Sequence, residues 1–164
     1  MTMVDITGKP EVIREATATG TIKLKAETMR LIKEGKVAKG DPLYTAKIAG
    51  VLAAKKTSTL IPFCHQLPLT SVKVEVDVLD HSTVQVTSTV RTKAQTGVEM
   101  EALVAATISL LTIWDMAKQY EKDAEGQYPS TVIQNIHVVK KVKENIQREI
   151  SSERKHEKTQ DYSS

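Results

Sequence analysis

The most informative segment of the chain spans residues 96–118 and reads TGVEMEALVAATISLLTIWDMAK. It contains no proline and, after Gly97, no glycine, and it is rich in Ala, Leu and Met, so we predict one long helix. Because apolar residues occupy most of its circumference, this helix is predicted to be largely buried. Charged side chains in a buried helix need partners. The segment has four of them, Glu99, Glu101, Asp115 and Lys118.

The sequence on both sides of this helix predicts further helices and four strands. Valines alternate with polar residues on either side of an Asp-His-Ser turn, as expected of a β-hairpin with one covered face. Asp41 and Pro42 are typical of a helix start, and Gly35 is typical of a helix end. The predicted strands span residues 19–25, 70–79, 84–93 and 131–139. The predicted helices before the hairpin span residues 26–34 and 42–56.

With the short helix 26–34 set aside, the order of these elements is βαββαβ. This order predicts an α+β, ferredoxin-like fold, with two helices on one face of a four-stranded antiparallel sheet. We expect an N-terminal arm over residues 1–15, one domain over 16–143, and a charged helical extension with a disordered tail over 144–164.

Composition excludes several classes of protein. The 164 residues carry a net charge of +3, but most of this excess lies in the tail, and Phe, Trp and Tyr together make up only 4%. A nucleic-acid-binding surface would need a basic folded domain with aromatic platforms, so none is expected. A single cysteine, no signal-peptide pattern and no charge-free span of membrane length predict a cytoplasmic protein without a disulfide or a membrane partner.

Three positions outside the long helix are candidates for binding. Lys39 lies just before the helix that starts at Pro42, where a lysine and free amides could bind an anion, although an ordinary loop lysine is an equal alternative. Cys64 and His65 lie in a segment bracketed by prolines. Because a zinc site needs three or four ligands, we expect no metal here; Cys64 is interpreted as a small buried residue, and His65 is the better candidate. Arg14 is interpreted as a solvated surface arginine in preference to a binding residue.

Helix geometry limits how these residues can cooperate. At about 1.5 Å per residue, Glu101 and Asp115 lie about 21 Å apart, and Lys39 and Lys55 are separated by about 24 Å. A compact site within one chain could not use both ends of these helices. Either the ligand is elongated or neighbouring subunits share each site; we favour the second and predict an obligate homo-oligomer.

Several linked motifs resemble one family. They read KGD at residues 39–41, TAKIAG at 45–50, AAKKT at 53–57, LIPFCH at 60–65, TGVEMEAL at 96–103 and LTIWDMAK at 111–118. In this order they are similar to the cyclic pyranopterin monophosphate synthases of molybdenum cofactor biosynthesis, the MoaC family. The resemblance runs from about residue 3 to residue 139.

The resemblance implies a ferredoxin-like lyase that converts 3',8-cyclo-7,8-dihydro-GTP, a nucleotide-derived small molecule, to cyclic pyranopterin monophosphate with release of pyrophosphate. It also implies a hexamer built from dimers, with its sites where subunits meet. No cofactor is expected, apart from Mg²⁺ that could accompany the substrate phosphates. By position in the motifs, the catalytic residues are Asp115 and Lys118. The implied substrate-site residues are Lys39, Lys55, His65, Glu99, Met100, Glu101 and, from a looser motif, Arg14.

The chain departs from the family pattern at two places. Gln66 stands where many bacterial members have a proline after the Cys-His pair. The segment 135–143 lacks the frequent lysine-rich ending with two glycines, so the lysine of that ending has no clear equivalent, and Lys140 and Lys141 are both open.

Two other functions remain alternatives to the lyase. A nucleic-acid-binding module on the same fold would carry stacking aromatic residues on its central strands. A noncatalytic oligomeric scaffold predicts that charge substitutions along the long helix change stability or assembly alone. The alternative interpretation of Asp115 and Lys118 themselves is an i,i+3 salt bridge.

Overall fold

A computed structural model describes residues 1–144 of the chain. It has four strands, three helices and a single helical turn. Apart from the short first helix and the single turn, their order is that of a split βαβ fold. The strands are β1 (Val12–Lys23), β2 (Leu69–Val78), β3 (Thr83–Ala94) and β4 (Val132–Glu144). The helices are α1 (Ala26–Lys33), α2 (Pro42–Ala54), the single turn α3 (Thr57–Leu60) and α4 (Glu99–Glu121).

The strands form one antiparallel sheet in the order β2-β3-β1-β4. The predicted ferredoxin-like α+β fold is therefore confirmed. Helices α2 and α4 cover one face of the sheet, and the core lies between them and the inward-facing Ala, Val and Ile residues of β1 and β3. The opposite face is polar and rich in threonine; there the Thr17 and Thr89 hydroxyls of β1 and β3 lie 3.0 Å apart.

The local signals at the helix ends are confirmed. The Asp41 carboxylate accepts hydrogen bonds from the backbone N–H groups of Leu43 and Tyr44, at 2.9 and 3.0 Å, and Pro42 begins α2. Gly35 has a φ of +66°, the left-handed conformation that ends α1. The single turn α3 was not predicted, and α2 ends two residues earlier than expected.

Two strands are longer than predicted. β1 begins at Val12 rather than at residue 19, so the predicted arm over residues 1–15 includes the start of β1, and Arg14 belongs to that strand. β4 runs to Glu144 rather than to residue 139. The Ala, Thr and Lys residues in these two added segments give no clear strand pattern. The start of β1 and the end of β4 are strands because they pair with each other, and β1 also pairs with β3. The helical extension and disordered tail predicted beyond Glu144 lie outside the described residues.

Close packing between α2 and α4 fixes the geometry of the helical layer. A side-chain carbon added at Gly50 would overlap the Ser109 hydroxyl and lie 3.1 Å from the carbonyl oxygen of Ala105. The Ser109 hydroxyl donates a hydrogen bond to the carbonyl oxygen of Ala46 at 2.9 Å. By length and composition α4 is the one helix among residues 1–144 that could cross a membrane, but half of its most apolar window is buried in this layer.

Candidate active site

The C-terminal half of α4 carries a cluster of three charges. Asp115 binds Lys118 through Oδ1 at 2.8 Å and Lys39 through Oδ2 at 2.7 Å, and the Lys39 ammonium also donates to the Asp115 carbonyl oxygen at 3.1 Å. We call Lys39, Asp115 and Lys118 the lysine–aspartate cluster. Because Lys39 comes from the turn before α2, the arrangement is more than an i,i+3 pair within one helix.

The contacts within the cluster fix the protonation states of Asp115 and Lys118. Hydrogen bonds from Lys118 and then Lys39 lower the pKa of Asp115 to about 2, and the hydrogen bond to Asp115 raises the pKa of Lys118. Asp115 is therefore a carboxylate and Lys118 an ammonium at neutral pH. The three side chains keep about half of their surface exposed, with fractions of 46% for Lys39, 55% for Asp115 and 47% for Lys118. The cluster is thus accessible to a ligand.

The anion site expected between Lys39 and the free amides of α2 is not formed in this way. Asp41 occupies those amides, and Lys39 turns toward Asp115 instead. A neighbouring feature was missed by sequence reasoning: Trp114 and Tyr128 form a tilted aromatic pair, with ring centroids 5.7 Å apart. Tyr128 comes from the loop after α4, where only its role as part of a helix-breaking segment was predicted.

The N-terminal end of α4 lines a different cleft. This cleft has a volume of about 450 Å³. Its walls come from the proline-bracketed segment and the first turn of α4, and they are formed by Ile61, Phe63, Cys64, His65, Leu67, Thr96, Gly97, Glu99 and Met100. The structure therefore brings His65, Glu99 and Met100 together in one cleft.

Glu101 lies beneath this cleft in a desolvated position. Its exposed fraction is only 3%, its Oε1 accepts a hydrogen bond from the Cys64 thiol at 3.8 Å, and its Oε2 has no partner among the described residues. Burial raises the pKa of Glu101. Burial and then the Glu101 charge also raise the pKa of Cys64, so Cys64 is a thiol rather than a nucleophilic thiolate.

Glu99, unlike Glu101, has a basic side chain as its partner. The Lys141 ammonium contacts Glu99 Oε1. Burial acts to raise the pKa of Glu99, but the hydrogen bond from Lys141 and the positive charges of Lys141 and Arg14 hold it below its ordinary value. Arg14 donates to the carbonyl oxygens of Ala94 and Gln95 at 3.3 and 3.1 Å. We call Cys64, Glu99, Glu101 and Lys141 the glutamate cluster.

A bulge in β4 decides which of two adjacent lysines reaches Glu99. Val138 pairs with Ala18 and Lys140 with Thr17, so Val139 is an extra residue in β4. Lys141 consequently pairs with Ala16 on the helix-covered face. Lys140 lies on the opposite face, where its Nζ is 3.7 Å from Glu15 Oε1. Of the two lysines that the sequence left open, the structure brings only Lys141 to the glutamate cluster.

The remaining predicted residues also lie toward this end. His65 Nε2 is 2.8 Å from the carbonyl oxygen of Val4. Lys55 lines an adjacent cleft of about 500 Å³, together with Val51, Leu67 and the start of β2. Leu67 belongs to both clefts. The predicted site residues of one chain thus form two groups, one at each end of α4.

These two groups are too far apart for one compact site. The rise of about 1.5 Å per residue puts about 21 Å between Glu101 and Asp115 along the continuous helix α4. Among residues 1–144, no group of three or more His, Cys, Asp or Glu side chains is arranged to hold a metal ion.

The sequence is similar to those of known proteins over most of its length. The MoaC family model matches residues 3–144. A probable cyclic pyranopterin monophosphate synthase from Sulfolobus acidocaldarius is 55% identical over 141 residues, which cover 86% of this chain and 98% of the relative. Relatives of the same name are 55% identical in Pyrococcus horikoshii, covering 86% of this chain and 88% of the relative, and 54% identical in Methanococcoides burtonii, covering 88% and 90%.

Proposed function

The chain belongs to the MoaC family, and we propose that it is a lyase that converts 3',8-cyclo-7,8-dihydro-GTP to cyclic pyranopterin monophosphate and releases pyrophosphate. The observation that carries this proposal is the lysine–aspartate cluster. It places one carboxylate between two ammonium groups, in a half-exposed position at the end of a packed helix.

The cluster suits a rearrangement that breaks and forms ring bonds. Such a reaction needs a proton donor for the atom that leaves and an acceptor for the proton of the atom that attacks. Lys118 is the donor, because Asp115 keeps it as an ammonium; once it has donated, the amine is the acceptor for a later step. Asp115 orients Lys118, and Lys39 keeps a second positive charge beside it.

The glutamate-cluster end suits binding of the substrate. Lys55, His65 and Arg14 supply groups that attract a triphosphate, and positive charge close to the departing pyrophosphate stabilises the charge that develops there. Glu99 and Glu101 offer carboxyl groups to the N–H donors of the guanine-derived ring. Met100 is 40% exposed and forms an apolar wall of the same cleft.

We propose that two copies of the chain complete each site. The lysine–aspartate cluster of one copy would then face the glutamate cluster of another, because neither end of α4 can reach the other within one chain. An exposed apolar surface on the helical layer supports association: Ile48 and Leu52 of α2 and Leu111 of α4 are each about half exposed. A hexamer, a cytoplasmic location and Mg²⁺ beside the phosphates remain predictions.

The alternatives have less support. None of the four strands carries Phe, Tyr or Trp, so the sheet offers no platform for stacked bases. A noncatalytic scaffold predicts that substitutions of Asp115 and Lys118 change stability or assembly alone.

A turnover assay decides between the lyase and the alternatives. The assembled protein is incubated with the cyclised GTP derivative, and the cyclic pterin and pyrophosphate are quantified. The proposal expects both products in equal amounts. An assembled protein that yields neither product would contradict it.

A further inference from the structure

The last turn of α4 contacts the backbone of the segment that carries Lys39. The hydroxyl of Tyr120, whose side chain is partly buried against the core, accepts a hydrogen bond from the backbone N–H of Ala38 at 2.9 Å. Ala38 is the residue before Lys39, so this contact lies one peptide unit away from a member of the lysine–aspartate cluster.

The segment that carries Lys39, before α2, is held at two further points. Val37 is only 5% exposed and packs in the core, and the N–H of Gly40 donates to the carbonyl oxygen of Val37 at 3.0 Å. Gly40 has a φ of +96°, which an L side chain rarely adopts. The backbone on both sides of Lys39 is therefore fixed, and the Tyr120 hydroxyl holds the Val37–Ala38 peptide unit.

A lysine side chain has too much freedom to stay at Asp115 through its ion pair alone. Exposed ion pairs contribute little, because holding two flexible side chains in one geometry costs entropy. Lys39 is about half exposed, yet it donates to both the carboxylate and the carbonyl oxygen of Asp115. An anchored backbone reduces the freedom that Lys39 must lose to make these two contacts.

We propose that Tyr120 is a positioning residue of the active site: its hydroxyl holds the backbone at Ala38 so that the Lys39 ammonium is directed to Asp115. Tyr120 and Asp115 are both part of α4, so one helix carries the carboxylate and also orients the cation that approaches it. The inference rests on the proposed function for its effect on catalysis, but the geometry that it describes does not depend on the reaction.

The test uses Tyr120→Phe, which removes one oxygen atom and keeps the ring packed against the core. We expect kcat/KM to fall by about fivefold to tenfold, corresponding to one lost hydrogen bond. The loss should appear in the same parameter, kcat or KM, that Lys39→Ala changes. A general structural role would instead lower the melting temperature without this match.

A double-mutant cycle separates positioning from packing. In the Lys39→Ala background, Tyr120→Phe should have no further effect on kcat/KM, because the side chain that it positions is absent. In the Lys55→Ala background, at the other end of α2, the two losses should multiply. Independent losses in both backgrounds, or a wild-type rate for Tyr120→Phe, would overturn the proposal.

A second readout does not require turnover. The carboxyl-carbon NMR signal of Asp115, followed as pH falls from 6 to 3, should show little protonation in the wild type. In Lys39→Ala, protonation should begin at a higher pH. Tyr120→Phe should shift the onset in the same direction by a smaller amount. If the wild-type protein were inactive, the proposed lyase function would fail, and this titration would still decide the role of Tyr120: an Asp115 profile identical to that of the wild type would refute it.

Discussion

Helix α4 places two of its carboxyl groups, those of Asp115 and Glu101, in opposite environments. At the C-terminal end, Asp115 is half exposed and lies between two lysines, which lower its pKa to about 2. At the N-terminal end, Glu101 is buried beside an uncharged thiol, and burial raises its pKa. One helix thus presents a carboxylate that is ionised at neutral pH and a carboxyl group whose burial opposes ionisation. The difference suits division of labour, with proton transfer at one end and recognition of the substrate at the other.

The middle of α4 keeps these two ends at a fixed separation. There the Ser109 hydroxyl and the carbonyl oxygen of Ala105 lie against Gly50 of α2, and the Ser109 hydroxyl donates to the carbonyl oxygen of Ala46. Because the helix backbones approach so closely, the spacing of the two clusters depends on the packing of this layer as well as on helix length.

The largest effect is expected at the lysine–aspartate cluster. Asp115→Asn and Lys118→Ala should each lower kcat by about 10²- to 10⁴-fold, the range for loss of a general acid–base group. Both side chains are about half exposed, so the fold and the assembly should persist. Lys36→Ala is a matched control, because Lys36 is also an exposed lysine that pairs with a carboxylate, that of Glu34, outside the lysine–aspartate cluster. Wild-type turnover in either cluster variant would refute the assigned roles.

The next largest effect is expected where α2 meets α4. Gly50→Ala should reduce the free energy of unfolding by about 1–3 kcal/mol, because the added carbon overlaps the Ser109 hydroxyl and presses on Val74. Turnover should fall as well, because the spacing of the two clusters depends on this contact. Denaturant unfolding measures the change. Gly8→Ala, with no atom near the added carbon, is the control, and equal stability of the two variants would contradict the packing argument.

A smaller effect should distinguish the two lysines of β4. Lys141→Ala removes the partner of Glu99 and is expected to lower kcat/KM about tenfold, as for one charge-assisted hydrogen bond. Lys140→Ala, on the other face of the sheet, should remain within about twofold of the wild type. Steady-state kinetics on both variants test the bulged register of β4. The reverse ranking would show that the register is wrong.

The smallest effect is a difference in pH-dependent stability. The raised pKa of Glu101 means that the folded state retains a proton that the unfolded chain loses, so its destabilising contribution appears as pH rises through the unfolded and then the folded pKa. Glu101→Gln should therefore raise the melting temperature by about a few degrees at pH 7.5 and less at pH 4. Asp115 has the opposite sign: its lowered pKa stabilises the fold above its ordinary pKa, and this is lost toward pH 2.

Melting curves of both variants across this range check the contrast. Asp115→Asn should lower the melting temperature near neutral pH and have little effect at pH 2. Parallel shifts for the two variants at every pH would contradict the opposite environments inferred for the two ends of α4.

Local chemistry made much of the fold predictable from the sequence. Asp41 and Pro42 specify the start of α2 through the backbone groups beside them, and alternating valines specify the hairpin, so neither feature depends on distant contacts. The start of β1 was missed because its Ala-Thr pattern is weak, and the strand there is held by pairing with β3 and β4. Such pairing is a property of the whole sheet.

For the candidate site, the family motifs pointed to residues that the structure places at both ends of α4, and the helical rise gave their separation. Sequence could not choose between Lys140 and Lys141, because one bulged residue exchanges their faces. It also gave no sign that Tyr120 would contact Ala38, since that contact depends on how the turn before α2 folds against α4.

The most direct test of a site shared between chains is subunit complementation. Lys118→Ala removes function at one end of α4, and the double variant Glu99→Ala, Lys141→Ala removes it at the other, so each protein alone should be inactive. When the two are co-assembled, a site that combines the intact end of each chain is complete, and random mixing should restore about a quarter of wild-type turnover. Mixed assemblies that exchange subunits and yet stay inactive would contradict the claim that each site is built from two chains.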